Sequence, residues 1–104
     1  MTAQTAIRQM TNRIAKRFKP DKIVLFGSHA RGTAGPDSDV DLLVIMPVSG
    51  SKRKTQVAIR CAVHDIPVAK DIVVATPQEA EQHRQIIGTL IQPALKEGRI
   101  LYAQ

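Results

Sequence analysis

The sequence predicts an α/β domain, or α+β, in which a small mixed β-sheet is flanked by helices. Two observations carry this expectation. Apolar positions switch between helical spacing and short continuous runs, in the order helix, strand, short helix, strand, helix, strand, helix. The link between the second and third strands holds a whole helix, more chain than a hairpin uses, so those two strands are expected to pair in parallel. At 104 residues there is room for one core, and residues 1–104 are expected to form a single domain.

The first element is a helix over residues 3–18. Ala3, Ile7, Met10, Ile14 and Phe18 recur at steps of three and four and define one stripe. Arg8, Arg13, Lys16 and Arg17 fall largely away from it, as a solvated basic face. Lys19-Pro20-Asp21 closes this helix, because the residue before a proline is pushed out of the α region. Lys22 to Phe26 reads as a short buried strand. Ser28 to Gly32 makes one or two helical turns, and Thr33 to Ser38 holds too many turn formers to be other than loop.

Asp39 to Met46 is the second strand, stopped by Pro47. Ser51 caps a helix from Lys52 to about His64, with Val57, Cys61 and His64 on one line and Ile59, Val63 and Ile66 on another. Ala69 to Ala75 is the third strand. Thr76-Pro77-Gln78-Glu79 is a strong helix start, with a cap, a first-turn proline and a glutamate three residues after the cap. That helix is expected to run to Glu97 through Ile87, Leu90, Ile91, Ala94 and Leu95, broken at Pro93 and capped by Gly98. Arg99 to Tyr102 then adds an edge strand or packs as an extended segment.

Fifteen Lys and Arg against nine acids give a formal charge of +6. That balance suits a partner rich in phosphate or acidic side chains without naming one. With two Phe, one Tyr and no Trp, the core must come from Ile, Val, Leu and Ala. No run approaches the ~20 apolar residues of a membrane span, and the N-terminus lacks the apolar stretch of a signal peptide. A soluble, cytoplasmic protein with no membrane partner is expected. Cys61, the single cysteine, excludes an internal disulfide and reads as core filler within the apolar helical pattern around it.

The chemistry concentrates between Phe26 and Ile45. Gly27-Ser28 stands where a strand ends and a helix begins, where glycine lets a ligand approach the backbone and free amides favour an anion. It is neither a Walker loop nor the dinucleotide fingerprint, since no Gly-Lys-Ser/Thr follows and the glycine spacing is wrong. Asp37, Asp39 and Asp41 alternate as in a calcium loop, but Leu42 stands where an EF-hand needs glycine and Val48 where it needs glutamate. Asp37 therefore reads as a turn residue.

On a strand Asp39 and Asp41 project from one face, and like charges side by side call for a positive charge between them, which a bound divalent cation supplies. Asp71 opens the third strand. If the second and third strands are neighbours, three carboxylates meet at one end of the sheet, opposite Gly27-Ser28. Such a cluster can hold two Mg2+ ions ~4 Å apart, one at an attacking hydroxyl and one bridging a triphosphate. Asp65, at a helix end before Pro67, is the rival for third place. Arg31 is a candidate for a further phosphate contact, or for orienting the loop through a carboxylate. His29 reads as a spectator, and His64 and His83 have no partners at metal-ligand spacing.

Gly27-Ser28, then Arg31-Gly32, then Ser38-Asp39-Val40-Asp41-Leu42 resembles the signature of the DNA polymerase β-like nucleotidyltransferase superfamily, in its minimal stand-alone form. Lys70-Asp71-Ile72-Val73-Val74 with Thr76-Pro77 looks like that family's third motif, and Glu97-Gly98-Arg99-Ile100-Leu101-Tyr102 like its usual ending. The resemblance covers nearly the whole chain. It implies the polymerase β-like fold, with Asp39 and Asp41 binding metal, Asp71 beside them helping to activate the acceptor hydroxyl, and Gly27 and Ser28 holding the nucleotide's phosphates. The implied reaction is in-line attack on the α-phosphate of a nucleoside triphosphate with release of pyrophosphate. Metal clamping and positioning would supply most of the acceleration.

Minimal members of this superfamily are typically encoded beside a small helical HEPN-type protein, and the pair resembles a toxin–antitoxin system. The resemblance implies an antitoxin that transfers AMP from ATP to a tyrosine of a toxic ribonuclease partner. A chain with no separate acceptor-binding domain fits an enzyme whose second substrate is a protein. Two other functions compete. A transferase acting on a small molecule, such as an aminoglycoside, would need a second chain or a homo-oligomer to wall off the acceptor pocket. A binding module that neutralises its partner by contact would not need Asp39 and Asp41. A polynucleotide polymerase is the least expected, because no thumb-like or nucleic-acid-binding domain follows the core, and direct DNA binding is not expected.

Overall fold

The computed structural model describes residues 1–35, 37–83 and 98–104. Its elements are α1 (Ala3–Phe18), β1 (Lys22–Phe26), α2 (Ser28–Arg31), β2 (Val40–Ile45), α3 (Lys52–Ala62), β3 (Lys70–Ala75), α4 (Pro77–His83) and β4 (Arg99–Ala103). The helical continuation expected through Ile87, Leu90, Ile91, Ala94 and Leu95, the break at Pro93 and the end at Glu97 lie outside the described residues, and the cap at Gly98 rests on them.

Local chemistry sets the element ends. Thr2 caps α1 by accepting from the Thr5 amide, and Lys19 closes it in the left-handed conformation (φ 48°) with its N–H on Ala15 O. Ser51 caps α3 by accepting from the Lys54 amide. Thr76 and Glu79 exchange hydrogen bonds at the start of α4, each backbone N–H meeting the other's side-chain oxygen at 3.1 Å. This is the reciprocal capping box that the spacing predicts.

The four strands form one mixed sheet in the order β3-β2-β1-β4. β1 runs antiparallel to both β2 and β4, whereas β2 and β3 pair in parallel. Helix α3 is the crossover between the parallel pair, as its presence in that link requires. Alternation along the strands sorts the apolar side chains onto two faces. Ile23, Leu25, Val40, Leu42, Val44, Ile72 and Val74 turn to one face and bury Ala6, Met10 and Ile14 of α1 with Ile59, Val63 and Ile66 of α3 and its exit. Val24, Phe26, Leu43, Ile45 and Ala75 turn to the other, packed with Ala80 of α4.

Two expectations from periodicity are corrected. The stripe of α1 is centred on Ala6, Met10 and Ile14, which are fully buried, while Ala3, Ile7 and Phe18 lie at its margins. Cys61 is exposed, not core. Of the two apolar lines on α3, the one through Ile59, Val63 and Ile66 is buried, and Val57, Cys61 and His64 on the other face solvent. A helix lying on a sheet buries one stripe. The longer aliphatic line wins it because Ile side chains remove more apolar surface from water than a Cys or His.

The basic face of α1 is also not simply solvated. Arg13 donates to Ala62 O at 2.9 Å and pairs with Asp65, fastening α1 to the end of α3. Among the described residues no helix is long and apolar enough to cross a membrane.

Candidate active site

Strand register assembles the site. Phe26 lies opposite Asp41 in the antiparallel β1–β2 ladder, so Gly27, the next residue, arrives beside the Asp41 side chain. Asp41 is in turn the direct partner of Asp71 in the parallel β2–β3 ladder. Partners across a ladder share a face, which is the face carrying Phe26, Leu43 and Ala75, away from α1 and α3. Asp39 precedes β2 by one residue and is exposed, two positions from Asp41.

Gly27 turns with φ 76° and ψ −155° and caps α2 at its N-terminal end. That backbone region is essentially glycine's alone. The space around it is equally selective: a Cβ at position 27 would overlap Asp41 Oδ2 and lie 3.2 Å from Asp41 Cγ. Ser28 opens α2, a helix of four residues, and the first amides of a helix have no partner within it. Gly32 closes α2 in the left-handed conformation, with its N–H on Ser28 O.

The loop that returns the chain to Asp39 is held by hydrogen bonds, beginning with the Thr33 amide on Ser28 O at 3.0 Å. Ser38 and Gly35 form a tight turn, the Gly35 amide donating to Ser38 Oγ at 2.8 Å and the Ser38 amide to Gly35 O at 3.2 Å. His29 Nε2 lies 3.2 Å from Ser38 O, a hydrogen bond when that nitrogen carries the proton. His29, a spectator by sequence, thus ties the helix after Gly27 to the residue before Asp39. Asp37 sits in the exposed turn, as expected of a turn residue.

The electrostatics centre on Asp41. Burial, then the negative charges of Asp71 and Asp39, push its carboxyl above its ordinary value, against the opposing positive charges of His29 and Arg31. Arg31 ends α2 on an exposed turn. The carboxylates are close enough to repel, yet among the described residues no three acidic, His or Cys side chains are gathered to ligate one ion. Asp71 instead pairs with Arg60 of α3, Nη2 to Oδ1 at 3.3 Å. Asp65 is elsewhere, hydrogen-bonded to Arg13, which holds its carboxyl below the ordinary range. His29 and Arg60 are the site neighbours that sequence reasoning missed. Neither stands at a motif position, and nothing in residue spacing signals a contact between Arg60 and a strand beyond the next turn.

The arrangement sets a backbone turn at a helix start beside a carboxylate pair, Asp41 and Asp71. A model of the nucleotidyltransferase domain family matches residues 7–101. A candidate protein adenylyltransferase of Methanocaldococcus jannaschii is 28% identical over 106 residues, an alignment that takes in 98% of this chain and 100% of that protein. A crystal structure of a candidate nucleotidyltransferase from Sulfolobus solfataricus superposes with a TM-score of 0.68 at 17% identity, over 96% of this chain and 79% of that one. A toxin–antitoxin structure with AMP-PNP gives a TM-score of 0.60 at 20% identity, over 99% of this chain and 75% of that one. A mutant of the toxin–antitoxin pair MntA–HpeT gives 0.57 at 19% identity, over 100% and 75%. At such identities the solved structures establish the shared fold. The family match, running from the middle of α1 into β4 and spanning the Gly27 turn and all three aspartates, makes this chain a member of the nucleotidyltransferase domain family, an enzyme of nucleotidyl transfer.

Proposed function

We propose that the protein is a divalent-metal-dependent protein adenylyltransferase that moves AMP from ATP onto a hydroxyl of a partner protein, a tyrosine of a HEPN-type toxin, and so acts as its antitoxin. The observation that carries this reading is the packing of Gly27 against Asp41, with Asp71 next in register. It sets the turn at the N-terminal end of α2 directly against the Asp41 carboxylate, with Asp71 as its ladder partner. The relative of similar length named for protein adenylyl transfer supports a protein acceptor. The likeness to two toxin–antitoxin structures, one with AMP-PNP, supports an adenine nucleotide and a toxin partner.

The donor set fits a divalent cation. Its oxygens are hard ligands, and burial first, then the like charges of Asp71 and Asp39, raise the carboxyl of Asp41, a cost to its ionised form that a bound cation would relieve. Asp39 and Asp41 would hold the ion, with Asp71 as the third carboxylate. When bound, Mg2+ supplies charge neutralisation at the triphosphate and lowers the pKa of the acceptor hydroxyl. The chain's own residues do the rest. Gly27 admits the phosphates to the backbone, and the Ser28 amide and hydroxyl donate to their oxygens. Arg31 adds positive charge on the same side. The acceptor oxygen attacks the α-phosphorus in line, a new P–O bond forms as the bridging Pα–O bond breaks, and pyrophosphate leaves. Asp71 takes the hydroxyl proton.

The test is to incubate the purified protein with Mg2+ and labelled ATP, alone and with the product of the neighbouring gene, and to weigh both chains intact. The expected result is a partner heavier by one or more AMP units, a gain lost in Asp39→Asn/Asp41→Asn. No mass change, with tight partner binding by wild type and variant alike, would replace this reading with neutralisation by contact.

A further inference from the structure

Asp71 and Asp41 occupy the same rung of the parallel ladder, so their Cα positions commit both side chains to the same face. Among the described residues, however, they do not gather with a third such side chain into a group that could hold one ion. A competitor for the Asp71 carboxylate stands at the edge of the sheet. β3 is an edge strand, and Arg60, from the last turn of α3, reaches its Asp71 at 3.3 Å. Helix α3 covers the opposite face, where its Ile59 is buried. The guanidinium therefore comes round the open edge of β3 to a carboxylate on the far side.

We propose that Arg60 is a positioning residue that engages the third carboxylate of the site, Asp71, and that a divalent cation must displace it to be ligated by Asp71. The inference rests on the metal-dependent reading above. A guanidinium and a divalent cation compete for the same carboxylate oxygens, and one oxygen bonded to Arg60 is one less for the ion. Both side chains of the pair are about half exposed, 51% and 50%, so water screens their attraction. An ion pair of this kind is weak enough to open without rearranging the fold.

The consequence is quantitative. Losing an exposed ion pair frees the carboxylate by an amount that corresponds to roughly a 2- to 5-fold change in cation affinity. Binding of Mn2+ alone, read from the electron paramagnetic resonance amplitude of the free ion, is the measurement, and it needs no turnover. Arg60→Gln is expected to tighten Mn2+ binding by about 2- to 5-fold, and Arg60→Lys to stay near wild type. Arg53→Gln removes the same charge from the exposed first turn of α3 and is expected to leave the affinity unchanged, which separates a local pair from the general field. In an Asp71→Asn background, Arg60→Gln is expected to have no effect.

Weaker Mn2+ binding in Arg60→Gln, or an equal gain with and without Asp71, overturns the proposal. Mn2+ binding that depends on Asp39 and Asp41 but not on Arg60 overturns this inference and leaves the metal-dependent reading standing. Wild-type binding that Asp39→Asn/Asp41→Asn does not reduce overturns both.

Discussion

Gly27 and Asp41 are so closely packed that the aspartate carboxylate occupies the place of a side chain at 27. The contact joins the end of β1 to the second residue of β2, and it exists because Phe26 and Asp41 are ladder partners. Gly27→Ala is therefore penalised twice, by a left-handed backbone that L side chains avoid and by overlap with Asp41 Oδ2. The backbone strain alone is worth about 1–3 kcal/mol. Relief by pushing Asp41 aside would misplace it, and displacement of a reacting group by an ångström lowers rates by roughly 100-fold. Urea unfolding and the rate of AMP transfer should both fall in this variant.

Asp41 carries a stability cost. Its carboxyl is raised by burial and by Asp71 and Asp39, so the folded state holds the proton more tightly than the unfolded chain does. Ionisation of this group then opposes folding above its folded-state value, and the opposition disappears below the ordinary aspartate value of about 3.9. Asp41→Asn should unfold at a higher temperature than wild type at pH 7 while losing transfer. The advantage should vanish when both are melted near pH 3. Because a cation needs the carboxylate ionised, Mn2+ binding to wild type should weaken as pH falls through that raised value. Asp71→Asn removes one of the charges that raise it and should move the weakening to lower pH.

His29 connects the two halves of the site through Ser38 O. Removing it leaves the loop before Asp39 held by the Thr33 amide and the Gly35–Ser38 turn among the bonds described above. A single hydrogen bond of this kind is worth about 0.5–1.5 kcal/mol. If that energy is spent on placing Asp39, His29→Ala should lower the rate of transfer by about 2- to 10-fold with a small change in KM for ATP. His29→Gln, whose amide can donate to the same carbonyl, should recover part of the loss. A uniform fall in stability with unchanged kinetics in the folded protein would assign His29 a structural role only.

The start of α4 offers a test of the fold that is independent of the site. Lys52 first, and the Thr76 amide second, hold the Glu79 carboxyl below its ordinary value. Its contribution to stability is therefore complete above about pH 4.3, the ordinary glutamate value, and is lost as pH falls through the lower folded-state value. Thr76→Ala should cost about 1 kcal/mol in urea unfolding at pH 7. Glu79→Gln should melt below wild type at pH 7, and the two curves should converge in acid.

Much of this architecture can be read from local pattern. Ile23 to Phe26, Leu42 to Ile45 and Ile72 to Val74 are apolar runs with no helical spacing, and the box at Thr76 and Glu79 is chemistry within one turn. The parallel pairing of β2 and β3 follows from the helix between them. What pattern does not carry is the position of β1 between β2 and β4, because the loop of residues 27–39 is long enough for either direction of pairing. Contacts such as Arg60 with Asp71 and Arg13 with Asp65 are also beyond it. Long side chains reach several ångströms from their own stripe, so their partners depend on the final placement of whole elements.

Cys61 shows where periodicity misleads, and it is simple to check. Val57, Cys61 and His64 repeat at helical spacing as well as Ile59, Val63 and Ile66 do, and composition alone makes a cysteine a common core residue. Only one line can face the sheet. Ile59 and Val63 are fully buried there, and Val57 is 49% exposed on the other side. The exposed thiol should react with a maleimide in the native protein at a rate close to that in denaturant. Cys61→Ser should change stability by no more than about 0.5 kcal/mol, as for surface positions in general. Ile59→Ala, two residues away, should cost about 2–5 kcal/mol through the cavity it leaves between α3 and the sheet. A protected thiol, or a large loss in Cys61→Ser, would mean that α3 is rotated about its axis from the orientation described, and with it the reach of Arg60 to Asp71.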